Sequence, residues 1–531
     1  MDCTAQRIPY RQTGYFSNIV LDYIDQSPQL KPFFEHPPGL QGIQKAIDAR
    51  KLFPTNCEVL VQELKKQYSL VEANEKAIKN IESLSRQNTF TVTTAHQPNI
   101  FTGPVYFIYK IIHTIKLADH LDSLLPENKF VPVFYMGSED ADLDELGQIN
   151  LDGEQLAWNT KQTGAVGRMK VDEELTALIE VIEGQLTVLP FGAGIISLIK
   201  DYYKIGEDIQ SATFKLINEL FCEYGLVILL PDNAAFKQQM IPVFEDDLLN
   251  QRASGIVENT SKQLEELYKV QAQPREINLF YLKDSIRGRI IKTSNYKVQG
   301  TSIEFSEDEL KKELKDHSEC FSPNVILRGL YQATILPDII FIGGGGELAY
   351  WLQFKDLFTY YKVPYPVLVL RNSFLIVENK WQEKINKLQF TIEDFFKPEQ
   401  GLVNMLVARE SKQQLSLNGT FSQTEQLYDL IKQQATAVDP SLEKHVDALK
   451  TNALQRLREL EKKMLSAEKR KFADQQRQIQ TIQNKLFPEN DLQERYVNMM
   501  FYYGKWGRDF IQKLYEHSLN LEQEFVILSE P

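Results

Sequence analysis

Four short segments of this 531-residue chain gather polar and charged residues just where apolar runs stop. In TVTTAHQPNIFTGPVYFIYK, His96, Gln97 and Asn99 come together ahead of Gly103 and Pro104, and a proline there suits the first turn of a helix. This polar trio either faces a ligand or is a set of satisfied structural groups. In FVPVFYMGSEDADLDEL, Glu139, Asp140, Asp142, Asp144 and Glu145 place five carboxylates within seven residues. Like charges this close repel, so the run wants a metal, a basic substrate group or open solvent. In DIIFIGGGGELAYWLQFKDLF, Gly343, Gly344, Gly345 and Gly346 precede Glu347. Successive glycine amides approach an anion closely, and a helix start adds partial positive charge. No GK[ST] follows and the third-glycine spacing fails, which excludes a Walker loop and a strict dinucleotide fingerprint. A phosphate or carboxylate cradle remains, beside the plainer reading of a tight turn. In YPVLVLRNSF, Arg371 stands beside Asn372 and Ser373, and arginine holds a carboxylate or phosphate bidentately. Arg328 in VILRGLYQ is a second candidate cation, although an ordinary salt bridge would explain either one alone.

Such residues matter if the elements before them are strands, because open α/β sheets bind ligands at the carboxyl ends of their strands. The runs 90–94, 130–136, 226–230, 339–342 and 367–370 predict strands, each followed by a loop and a helical pattern. All but the first are nearly pure apolar, as strands covered on both faces must be. The reading is an α/β core over residues 89–378, with inserted subdomains near 150–223 and 237–324. The second insertion includes an alternating piece near Ile277 to Leu282. Residues 1–88 read as a helical segment packing on the core, and 379–531 as a helical region. Within the latter, Leu442, Val446, Leu449, Ala453, Leu457, Leu460, Met464 and Ala467 step by three or four. They form the seam of a coiled coil over 441–486, which must be buried against another helix. Pro488 ends that helix, and 492–525 reads as a return helix folding back as an antiparallel hairpin. Dimerisation through this arm is expected.

Apolar residues at 43% and charged residues at 25% are the balance of an ordinary folded protein. A net charge of −13 with no basic block argues against nucleic acid and anionic membranes as partners. Cys3, Cys57, Cys222 and Cys320 stand far apart with no CxxC pair, which fits neither a disulfide framework nor a zinc site. No signal peptide is visible, and no stretch reaches about 18 uninterrupted apolar residues, so a cytoplasmic location is expected.

HQPNIFTGPVYFIYK, PVFYMGSEDADLDEL, RGLYQATILPDIIFIGGGGELAYWLQFKDLF and PVLVLRNS, in this order, resemble the bacillithiol biosynthesis cysteine-adding enzyme family. The opening IPYRQTGYFSNIVLDYI is similar as well, and the likeness covers nearly the whole chain. The resemblance implies a Rossmann-like parallel-sheet core with inserted connecting subdomains and a C-terminal α-helical coiled coil that makes a homodimer. It implies a ligase that joins the carboxyl of cysteine to the amine of glucosaminyl-malate, in the last step of bacillithiol synthesis. Activating that carboxyl calls for ATP or a related nucleotide, with Mg²⁺ as a possible companion and no resident metal site assigned. On this reading Gly344, Gly345, Gly346, Glu347, Arg371, Asn372 and Ser373 hold the nucleotide. Gln97 and Asn99 bind substrate, and His96, Glu139, Asp140 and Asp142 serve catalysis. The family pattern has Gly where this chain has Ala95, Pro where it has Gly345, and His where it has Ala141. The alternatives are a nucleotide-dependent ligase or nucleotidyltransferase for another amino compound, or a catalytically lapsed coiled-coil binding protein, which Ala141 would favour.

Overall fold

Strands buried on both faces need cover on both, and the five runs read from this sequence line up side by side in one parallel sheet. In the computed structural model, which describes residues 3–530 apart from 73, 412 and 414, the strands are Thr89–His96, Lys129–Met136, Val227–Leu229, Asp338–Gly343 and Val367–Leu370. Numbered one to five along the chain, they stand in the order 3-2-1-4-5, all parallel. This is the doubly wound order of a Rossmann-like fold, with its topological switch point between the first and fourth strands. Ile43 and Ile47 of helix Leu40–Lys51 join Leu117 and Leu121 of helix Tyr106–Leu124 in one buried cluster with Phe90, Val92, Ile340 and Val369. Each such aliphatic side chain contributes about 1.5–3 kcal/mol by leaving water.

The insertions fold as small subdomains. The first has a hairpin of Gln148–Leu151 and Glu154–Ala157, followed by helices Glu173–Leu186, Gly192–Tyr202 and Ile209–Phe221. Asp152 and Gly153 both take positive φ at the hairpin tip, the Asp-Gly turn whose twist matches the paired strands. The second insertion carries a five-stranded antiparallel sheet, in which the alternating piece becomes Leu279–Lys283 paired with Ile286–Lys292.

The ends of the chain depart from the sequence reading. Residues 1–88 hold the expected helices but open on a strand, Thr4–Pro9. The return helix over 492–525 does not form. Gly507, at φ 61°, separates two short helices, Met499–Trp506 and Arg508–His517, and Glu524–Ser529 is a strand. That strand pairs antiparallel with Thr4–Pro9, Thr4 opposite Ser529 and Pro9 opposite Glu524. Residues from Asp491 onward therefore belong to the same compact unit as those up to Ile376.

Val377–Asn490 is a second unit. Its seam helix, Glu443–Lys469, packs on the helix before it, Asn418–Val438, rather than on one after it. Ion pairs Lys450–Asp429 (2.7 Å) and Lys432–Asp447 (3.0 Å) set the two antiparallel about the turn at Pro440. Val446 of the seam is buried, whereas Leu449 and Leu460 stay exposed, as do Leu427 and Leu430 on the facing helix. The hairpin thus covers only part of the seam.

Candidate active site

The carboxyl ends of the sheet strands open into a cavity of about 790 Å³ at the switch point. His96, Gln97 and Asn99 reach it from the first strand, Glu139 and Asp140 from the second, Gly344–Glu347 from the fourth and Arg371 from the fifth. Three of the sequence candidates do not line it. Asp142 caps the short helix Leu143–Leu146 by accepting from the Glu145 amide. Asn372 Oδ1 accepts from Ser518 Oγ (2.5 Å) and the Leu519 amide (2.8 Å), and Ser373 Oγ bonds to Glu494. These are supports of the site rather than its surface. Ala141 is at the margin, between Asp140, which lines the cavity, and Asp142, which does not.

His96 is buried, and its two ring nitrogens are already engaged. Nδ1 lies 3.1 Å from the Gln97 carbonyl, an acceptor, so it carries the proton, and Nε2 accepts from the Tyr106 hydroxyl at 3.1 Å. Burial, with Lys110 adding to it, pushes the imidazole down to about 3. At neutral pH it is a neutral hydrogen-bonding group and not a cation. Its hold on Tyr106 has a consequence: the Arg371 guanidinium sits 5.0 Å from the centre of that ring and the Lys110 ammonium 5.9 Å.

Lys110, a charge in the otherwise apolar face of helix Tyr106–Leu124, was missed by the sequence reading. Its ammonium donates to the Ala95 carbonyl at 3.0 Å and pairs with Glu347. Burial lowers its proton affinity, with Glu347 opposing. Burial works to raise the Glu347 carboxyl, but Lys110 and the Gly344 amide, which donates to it at 2.8 Å, together hold it below its ordinary value. The glycine turn therefore already has an internal carboxylate at its first amide. Gly343 is required sterically, since a Cβ there would lie 2.8 Å from the Phe341 ring.

Arg371 gives Glu494 its Nη2 at 2.7 Å and Ser373 its Nη1 at 3.1 Å. Burial opposes its charge, and the fully buried Glu494 outweighs that and holds it above its usual value. Its Nε has no acceptor, although buried, and points past Gly344, where a Cβ would come within 3.6 Å. A buried guanidinium N–H without a partner costs about 1–3 kcal/mol until an acceptor arrives. Arg328 also lines the cavity, donating to the Tyr350 hydroxyl at 2.6 Å.

The acidic run is divided among three fates. Glu139 pairs with the fully buried Lys237, which also reaches Asp232 (3.4 Å) and the Glu319 carbonyl (2.8 Å). Asp232 in turn takes a bidentate Arg168 at 2.6 and 2.7 Å. Asp140 faces the cavity, where Oδ2 accepts from Gln97 Nε2 at 3.1 Å, and Asp142 and Asp144 face solvent. Among the described residues no group of three or more His, Cys, Asp or Glu converges as a metal cage. Cys57, Cys222 and Cys320 are free thiols.

Comparisons bear on this geometry. Residues 1–372 match the family described as bacillithiol biosynthesis BshC, N-terminal Rossmann-like domain, and residues 374–530 match its C-terminal coiled-coil domain. A protein of Flavobacterium psychrophilum is 39% identical over 98% of both chains. One of Flavobacterium johnsoniae is 38% identical over 98% of this chain and 99% of its own. Each carries "cysteine ligase BshC" in its name. On family matches that run from end to end, with relatives of equal length, the chain belongs to the bacillithiol biosynthesis BshC family.

Proposed function

We propose that this chain is the cysteine ligase of bacillithiol biosynthesis, condensing the carboxyl of cysteine with the amine of glucosaminyl-malate in the last step of the route. The observation that carries the reading is the cavity at the switch point, in which a buried arginine Nε waits for an acceptor beside the glycine turn. The names borne by the relatives supply the chemistry.

In this reaction a carboxylate oxygen of cysteine first attacks a phosphorus of ATP, giving a mixed anhydride and releasing the rest of the nucleotide. The amine nitrogen then attacks the acyl carbon, the C–N bond forms, the C–O bond to phosphate breaks, and the nitrogen loses its proton. The Arg371 Nε and Arg328 are the donors suited to the phosphate oxygens. The Gly344 amide is engaged by Glu347, so the glycines supply room rather than the whole cradle. Asp140 is the carboxylate suited to accept the proton, because Glu139 is tied to Lys237. His96 holds Tyr106, and Tyr106 in turn supports Arg371 from below. Among the described residues no carboxylates form a cage for Mg²⁺, so such an ion would be held chiefly by phosphate oxygens.

The alternative of a lapsed binding protein rests on Ala141, which sits at the margin of the cavity while Asp140 and Gln97 are intact. The deciding experiment is mass-spectrometric detection of product from purified protein given cysteine, glucosaminyl-malate, ATP and Mg²⁺, beside Ala141→His. Product from the parent supports the ligase; product from the variant alone marks Ala141 as a lesion; none from either sinks the proposal. A homodimer is part of this reading, supported by the exposed Leu427, Leu430, Leu449 and Leu460 of the arm. Light scattering should give twice the chain mass, falling to one chain in Leu430→Glu/Leu449→Glu.

A further inference from the structure

Several charges in the cavity are paired one to one, and Arg328 donates to the Tyr350 hydroxyl. Lys110 has Glu347, Arg371 has Glu494, Glu139 has Lys237, and Arg495 has Asp491. Arg287 and Asp140 are held short of each other, at 4.0 Å, where a formed charge-assisted bond would be about 2.8 Å. Arg287 lies on the strand Ile286–Lys292 of the second insertion, and its Nε is buried with no acceptor. Its guanidinium packs on the Phe280 ring at 3.9 Å, which fixes the plane of the fork. Asp140 is fixed as well, by Gln97 Nε2 on one oxygen and the Ala141 amide (2.7 Å) on the other. Two opposite charges, each oriented by its own neighbours and neither satisfied by the other, are ready to take one partner apiece.

We propose that Arg287 and Asp140 form a subsite for a primary amine that bears a carboxylate a few bonds away, the carboxylate docking on Arg287 and the ammonium on Asp140. Such a ligand answers both charges at once. A carboxylate without an amine meets Asp140 as a like charge, and an amine without a carboxylate leaves the buried Arg287 fork unpaired. The two substrates of the proposed ligation both have this chemistry, cysteine and glucosaminyl-malate, and naming them rests on that reading. The subsite is set apart from Arg371 by the width of the sheet. Asp140 follows the second strand and Arg371 the fifth, with the first and fourth between them. Three strand spacings make about 14 Å, so the two arginines address different anions.

The test is calorimetric titration of the full-length protein, Arg287→Met, Arg287→Lys and Asp140→Asn with L-cysteine, glucosaminyl-malate, L-malate and ATP. The Kd of at least one amine-bearing ligand should rise about tenfold or more in both Arg287→Met and Asp140→Asn, while that of ATP stays within about twofold. Whichever ligand responds is the occupant. Asp140→Asn should bind L-malate more tightly than the parent does, a change of sign that a merely structural role would not produce. Arg287→Lys should recover part of the loss, because it keeps the charge without the fork. If Arg287→Met does not fold, Asp140→Asn, whose side chain is partly exposed, carries the test. Unchanged binding of both amine-bearing ligands would overturn the subsite even if the parent enzyme makes product. Loss of binding in a protein that makes none would uphold the subsite and discard the ligase.

Discussion

Two lysine–carboxylate pairs flank the cavity, Lys110 with Glu347 beside the glycine turn and Lys237 with Glu139 beside the acidic run. Burial pushes both carboxyls up and the lysine pulls both down, yet Glu347 ends below its ordinary value and Glu139 above it. The third neighbour decides. Glu347 also accepts from the Gly344 amide and feels Arg328, whereas Glu139 shares its lysine with a second carboxylate, Asp232. A lysine is thus not enough to fix the ionisation of a buried acid; what else competes for either partner matters as much.

The largest consequence concerns stability. Lys237→Met strands Glu139 and the Glu319 carbonyl and leaves Asp232 to Arg168 alone, and should cost about 3–5 kcal/mol in denaturant unfolding. Lys110→Met strands Glu347, which keeps the Gly344 amide, so its cost should be smaller. Equal losses would mean that the third neighbour does not decide.

A buried acid with no lysine sharpens the contrast. Asp338, at the start of the fourth strand, is pushed up to about 6 by burial, against hydrogen bonds from Gln332 and Thr91. A folded-state value above the unfolded one means stability that is present in acid and is lost as pH rises through about 6. Two units correspond to about 3 kcal/mol. Asp338→Asn should flatten the fall in stability between about pH 4 and 6 and leave the protein more stable than the parent at pH 8. The same slope in parent and variant would refute the assignment. Glu347, with its lowered value, works in the opposite direction, losing stability as pH falls.

Arg371 extends the comparison to ligands. Arg371→Lys retains a charge for Glu494 but removes the unpartnered Nε, and should raise the Kd of ATP about tenfold with little effect on amine-bearing ligands. That is the reverse of what Arg287→Met should do. A uniform loss across all ligands would merge the two ends into one site.

How much of this was visible in the sequence depends on what carries the signal. Four of the five strands of the sheet were legible because burial on both faces leaves an unbroken apolar run, the first by its β-favouring threonines and valine, and the residues directly after them were legible by their place at a strand end. Thr4–Pro9 was not, since its pattern is mostly exposed and its partner, Glu524–Ser529, lies at the other end of the chain. The helix read over 492–525 failed because local periodicity continues across Gly507, whose φ turns the backbone away. Lys110 had a usable signal, a lysine inside the apolar run from Phe107 to Ile112 of its helix. Arg287, Lys237 and Glu494 had none: each is an ordinary charged residue until the fold brings it to its partner. Asn372 and Ser373 were found for the right reason, adjacency to a strand end, and point elsewhere because Ser518 and Glu494 claim them.

The smallest expected effect tests whether the glycine turn binds an anion through its amides or merely makes room for one. Gly345 is the first residue of helix Gly345–Trp351, a position where proline is tolerated because the lost N–H has no partner within the helix. Gly344, before it, has φ −72° and ψ 171°, the extended conformation that a following proline requires. The obstacle is Val20, whose Cγ2 lies 3.2 Å from the added Cβ and has to give by a few tenths of an ångström. Gly345→Pro, which restores the residue of the family pattern, should therefore stabilise by about 0.4–1 kcal/mol through the unfolded chain. If Arg371 and Arg328 hold the phosphates, the Kd of ATP should not change. A weakened Kd in a variant of raised Tm would show instead that the Gly345 amide is itself a ligand, and would shift the anion from the arginines to the turn.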